Sequence, residues 1–188
     1  ANALDNLGFN AHNTGDLASA RALYEESLSL AREMEDPRLV FLVLYNLGDV
    51  AFLLGNHDTA WTRFEESLAI AREVGDQQGV VDALGGLGNV AHDRGDLETA
   101  RSLYAQTLTL ACEIDARRDL ATTLEGFALL MAREDDPRGA ARLWGAAQRL
   151  REEIGAPLAP ALRSVLASHV AAARAALADD AAFDAAWA

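Results

Sequence analysis

Lysine is missing from this sequence altogether. All 16 basic residues are arginine, set against 29 acidic ones for a net charge of −13. That excludes Schiff-base chemistry on lysine and the lysine of a phosphate-cradling loop. The negative charge also opposes a polyanion, because nucleic-acid binding draws on clustered basic side chains that release counterions. Direct contact with nucleic acid is not expected. Cysteine is almost as scarce: Cys112 has no possible internal partner, so no disulfide forms within these residues, and a reducing, cytoplasmic setting is the simple expectation. Apolar runs such as Leu39 to Tyr45 fall far short of a membrane span, and no basic segment leads into an apolar one as a signal peptide would. No membrane contact is expected. An initiator methionine is lacking too, and the chain opens inside a repeat, which predicts a piece of a larger protein.

What is present is repetition. The 188 residues, 51% of them hydrophobic, suffice for a sizeable core. The stretch NLGFNAHNTGDLASARALYEESLSLARE, residues 6–33, returns as NLGDVAFLLGNHDTAWTRFEESLAIARE from Asn46 and as GLGNVAHDRGDLETARSLYAQTLTLACE from Gly86. In rows of 40 residues, Gly8, Gly48, Gly88 and Ala128 align, as do Ala20, Ala60, Ala100 and Ala140. Large residues align as well: Leu7, Leu47, Leu87 and Phe127, then Tyr24, Phe64, Tyr104 and Trp144. Small columns facing large ones allow two helices to approach while a ring fills the remaining space.

The rows carry their own punctuation. Gly15, Gly55 and Gly95 sit where a left-handed residue ends a first helix, and Asp16, Asn56, Asp96 and Asp136 follow as N-caps of a second. Pro137 stands directly after its cap, where a missing N–H costs nothing. Breaks fall at Asp36-Pro37, Asp76 to Gly79, Asp115-Ala116 and Ala156-Pro157. Each row therefore reads helix, tight turn, helix. A hairpin with one apolar face cannot bury that face alone, so copies must stack on one another.

On Asn6-Leu7-Gly8, Ala11, Gly15-Asp16, Ala20, Tyr24 and Leu28 and their later counterparts, the chain resembles the tetratricopeptide repeat family. The resemblance implies an all-α fold, a right-handed superhelical solenoid of stacked antiparallel helix pairs. It places four rows at 1–36, 37–76, 77–116 and 117–156, with capping helices over 157–188. The row exceeds the family's usual unit through a longer second helix and its connection, similar to rows of kinesin light chains and of the sensor arms of large bacterial regulators. The fourth row drifts, with Ala128, Met131 and Asp135-Asp136 replacing the usual glycine, alanine and Gly-Asp turn. ARLWGAAQRLREEIGAPLAP (141–160) followed by AAFDAAWA resembles the end of the helical arm in bacterial LuxR-type regulators, implying a parent with a nucleotide-binding switch and an output domain.

Chemistry is sparse along the chain. His12 and His92 share a column two rows apart, too far to share a metal, and His57 and His169 have no ligand cluster around them. Paired glutamates such as Glu25-Glu26 and Glu65-Glu66 recur as a solvated helix face. No serine occupies a strained Gly-x-Ser-x-Gly turn, and the GGLG of 85–88 follows no strand. Neither catalysis, a cofactor nor a metal is expected.

By the family resemblance, the first helices of successive rows line a concave groove. Its lining is Asn2, Asp5, Phe9, His12 and Asn13, then Leu42, Tyr45, Asp49, Phe52 and Leu53. It continues with Asp82, Gly85, Asn89, His92 and Asp93, and ends with Thr122, Glu125, Leu129, Ala132 and Arg133. These columns vary between rows, as either a specific contact surface or a solvated face would. The basic residues with which some family members clamp a peptide's terminal carboxylate are missing, since the column of Asn13 reads Asn, Leu, Asp, Arg. An acidic groove instead favours a cationic or neutral protein or peptide with an apolar anchor near Tyr45 and Phe52. Two alternatives stand beside this: a homodimer through the apolar edge of the first hairpin (Leu4, Leu7, Ala11, Leu23), and a small-molecule inducer site in the groove.

Overall fold

The computed structural model describes residues 1–158 and 160–188. Ala159, part of the cap expected over 157–188, lies outside the described residues. The described residues form ten helices and no strand: α1 (Asn2–Asn13), α2 (Leu17–Glu33), α3 (Pro37–Leu53), α4 (His57–Glu73), α5 (Gln77–Asp93), α6 (Leu97–Glu113), α7 (Arg117–Arg133), α8 (Pro137–Glu153), α9 (Pro160–Leu177) and α10 (Asp180–Trp187). They fall into two compact units, Ala1–Asp96 and Leu97–Ala188.

The backbone repeats at half the interval of the side chains. Each helix from α2 to α8 is 17 residues long, and each from α3 to α8 starts 20 residues after its predecessor. A positive φ recurs at residues 15, 35, 55, 75, 95, 115, 135 and 155, glycine at five of these and Glu35, Asp115 and Asp135 at the others. The row's extra length is thus shared equally by its two helices, contrary to the longer second helix expected. The turns close alike: Asp16 N–H donates to the Ala11 carbonyl and Asp36 N–H to that of Ala31, satisfying carbonyls a helix end leaves unpaired.

Capping follows the side chains available. The Asp16, Asp36, Asp76 and Asp136 carboxylates accept from the N–H three residues on, at 2.8–3.1 Å. Asn56, expected to cap α4, makes no such side-chain bond, and Ala116 offers none to α7. Ala116→Asp should therefore stabilise the protein by about 1 kcal/mol, the usual worth of a cap, as a rise in urea midpoint with unchanged slope.

In the first unit α1 packs on α2, α2 on α3, α3 on α4 and α4 on α5, with α1 and α5 also touching α3. The paired columns explain the spacing. A Cβ on Gly8 would stand 2.7 Å from the Tyr24 ring, and one on either Gly48 or Gly86 would stand 2.7 Å from Phe64. Gly79, read as part of a break, lies inside α5, where the Phe41 ring occupies the space a side chain would need. Ser67 Oγ donates to the Phe41 carbonyl at 2.8 Å, tying α4 to α3 inside the core.

In the second unit α6 packs on α7, α7 on α8, and both α9 and α10 on α8. Trp144 and Phe183 are fully buried in a cluster with Ala128, Ala140, Ala141 and Ala173, and the Trp187 ring stacks on Phe183 at 5.9 Å. Arg149 donates to the carbonyls of Trp187 and Ala188, fastening the end of α10 to α8.

Candidate functional site

In the first unit the residues expected to line a groove sit on α1, α3 and α5 and differ in exposure. On α1, Asp5 and His12 are half-buried while Phe9 and Asn13 are exposed. On α3, Tyr45, Asp49 and Phe52 are half-buried and Leu42 and Leu53 are exposed. Two contacts join these helices: Asn46 Nδ2 donates to Asp5 Oδ1 at 3.2 Å, and His12 Nε2 stands 3.2 Å from Asp49 Oδ2. The Tyr45 ring leans on Phe64 at 5.6 Å, and the Phe52 ring meets His57 edge-on at 5.7 Å. On α5, Asp82 accepts from Gln78, Asn89 is half-buried, and His92 is buried with Nδ1 3.3 Å from the exposed Asp93 carboxylate.

The Asp5–Asp49 region is electrostatically unfavourable to its own charges. Burial pushes the Asp5 carboxyl above its ordinary value, partly offset by the Asn46 hydrogen bond. Burial likewise raises Asp49, partly offset by His12. Beneath them Tyr24 is fully buried, its hydroxyl without a hydrogen-bond partner. Burial foremost, then the charges of Asp5 and Asp49, push that phenol up to about 12.

A raised carboxyl pKa means the folded state holds its proton more tightly than the unfolded chain. The penalty is therefore fully present above the folded pKa and is relieved as pH falls through it. Asp49→Asn, whose amide oxygen can still accept from the His12 ring, should match or exceed the parent's stability at pH 7, with any advantage shrinking towards pH 4. Paired urea titrations at the two pH values measure this. A loss of stability at pH 7 that vanishes at pH 4 would mean that the ionised carboxylate is a net structural asset.

The expected residues of the second unit are arranged differently. The guanidinium of Arg151, on α8, grips Glu125 in a two-pronged pair at 2.6 and 2.9 Å and also reaches Thr122 Oγ1 at 3.0 Å. Leu129 and Ala132 pack against the Trp144–Phe183 cluster, and Arg133 is exposed. Glu125 thus comes with its own counter-ion, which sequence reasoning missed because no local pattern links residues 26 apart. Nearby lies a cleft of about 450 Å³ lined by Glu125, Trp144, Gln148, Arg151, Leu158 and Trp187, among others. Phe183 and Trp187 belong to the segment 157–188 expected to cap the solenoid. Among the described residues no group of three or more His, Cys, Asp or Glu is placed to hold a metal ion, and no helix is long and apolar enough to cross a membrane.

Tandem helical hairpins, glycine against ring in successive rows, define the class as a helical repeat protein. The family model for the tetratricopeptide repeat matches residues 1–73 and again 39–113, and the chain belongs to that family. Its members are generally non-catalytic scaffolds for protein–protein interaction. Among solved structures the chain is similar to BtubC (BKLC) from P. vanneervenii, at 22% identity and a TM-score of 0.76, over 97% of this chain and 75% of that one. That likeness is one of fold. A search of curated proteins gives no match.

Proposed function

We propose that the face shared by α1, α3 and α5 binds a segment of a partner protein that is cationic or neutral and carries an apolar anchor. The observation that carries this reading is the juxtaposition of the half-buried Asp5 and Asp49 carboxylates with the exposed Phe9 and Leu42 and the half-buried Tyr45. Exposed apolar side chains beside charge of one sign supply both contact area and a selective field. The net charge of −13 adds to the attraction for a basic segment. A peptide library displayed against the immobilised protein is expected to enrich basic residues next to leucine or aromatic ones. The enriched peptides should bind Tyr45→Ala/Asp49→Arg at least tenfold more weakly. Enrichment of acidic sequences, or equal binding to the double variant, would rule the reading out.

A second reading, self-association through the first hairpin, has one observation in its favour. Leu7 is 54% exposed, whereas Leu47 and Leu87 in its column are 6% and 3% exposed. Leu7→Glu should then shift a dimer to monomer in light scattering; a parent that is monomeric at all concentrations removes this reading.

A further inference from the structure

The half-buried carboxylates of the first unit have a feature that neither packing nor solvation explains. Gly8 leaves a gap on α1, and the Tyr24 ring enters it, with Cζ 3.1 Å from where a Cβ would lie. Asp5 and His12, three residues before and four after Gly8, stand on the same side of α1. From α3, Asn46 reaches Asp5 and Asp49 meets His12, so both carboxylates lie along the contact between α1 and α3. The hydroxyl is buried, unpartnered, and close enough to feel both charges. The next row provides a comparison from the same chain. Phe64 fills the gap at Gly48 in the equivalent way without a hydroxyl, so packing at this column does not require one.

Resting on the proposed role of this face, we propose that Asp5, Asp49 and the Tyr24 hydroxyl form a subsite for one guanidinium group, the arginine side chain of a partner segment. A guanidinium offers five N–H donors in a planar fork, enough to serve two carboxylates and a phenol oxygen together. A metal ion is the poorer occupant, because these groups do not form a ligand cluster of the kind a metal needs. In the unliganded protein His12 holds one oxygen of Asp49, and the phenol is sealed from solvent. The arriving guanidinium replaces the imidazole on that oxygen, and His12 turns away from it. The arrangement is the inverse of a carboxylate-binding groove: here the protein supplies the acids and the partner the base.

The test is a titration of the 15N-labelled 188-residue chain with acetyl-Leu-Arg-Leu-amide and with its citrulline twin, which has nearly the same shape but no charge. Amide shifts are expected at Gly8, Asn46 and Asp49, with affinity for the arginine peptide at least tenfold above that for the citrulline one. Asp5→Asn/Asp49→Asn should lose at least tenfold of the arginine affinity. Tyr24→Phe should lose about threefold while unfolding at the same or a higher temperature, which a purely structural tyrosine would not allow. Helix content by circular dichroism confirms that each variant is folded. Equal binding of the two peptides on α1 and α3 overturns the guanidinium subsite and leaves the groove reading standing. No shift on these helices with the arginine peptide overturns the subsite, while the groove reading is decided separately by the library selection. Unchanged arginine affinity in the double asparagine variant overturns the subsite as well.

Discussion

Phe64→Ala is expected to cost about 3–5 kcal/mol, the range for deleting a buried ring whose surroundings cannot collapse. Phe64 is 2% exposed, pressed by Gly48 from α3 and by Gly86 from α5, with Tyr45 leaning on it from the side. Neither glycine can fill the vacated space, because glycine has nothing to extend and helix backbones do not close a gap of that size. Urea denaturation followed by circular dichroism measures the loss. The glycines should be coupled to the ring. Gly86→Ala alone overpacks and costs about 1–3 kcal/mol, yet in the Phe64→Ala background the added methyl enters the cavity and should recover part of the loss. A double-mutant cycle therefore gives a coupling of opposite sign to the single effects. Simple additivity would show that the ring and the glycine do not meet as described.

Gly145→Val should release α10 from α8 and cost the second unit about 3 kcal/mol, the order of fully exposing one large apolar side chain. A Cβ at Gly145 would run into the main chain of Trp187, which no rotamer change relieves. Displacing α10 also uncovers Phe183 and breaks the bonds from Arg149 to the last two carbonyls and from the Trp187 indole to Gln148. Amide exchange over 180–188 should rise by orders of magnitude in the variant, while the core of the first unit stays protected. A helix that remains protected would mean that the approach of α10 to Gly145 is not what seats it.

How much of this was legible depended on whether a feature repeats in the sequence. The Gly8/Tyr24 and Gly48/Phe64 pairs were readable because both members recur at a fixed interval, so a column of small residues beside a column of rings implied contact. The equal helix lengths went unread although breaks were legible at Asp36-Pro37 and Asp115-Ala116, because Glu35, Asp115 and Asp135 hold left-handed positions that glycine holds in the other turns. At the candidate site, Asp5, His12, Tyr45 and Asp49 were identified individually. The bond between His12 and Asp49 was not, because it joins neighbouring rows and depends on how two first helices lie against each other. The orphan Tyr24 hydroxyl was hidden for a different reason: tyrosine and phenylalanine are interchangeable in a packing column, and only coordinates show which oxygen lacks a partner.

The 20-residue backbone period and the 40-residue side-chain period together restrict how such a chain can change length. A 20-residue insertion would preserve every turn and every helix start. It would nevertheless exchange the roles of all helices downstream, bringing ring against ring and glycine against glycine. A 40-residue insertion preserves both. Gain or loss of rows during divergence should therefore be quantised at two helices, even though the main chain alone would accept one.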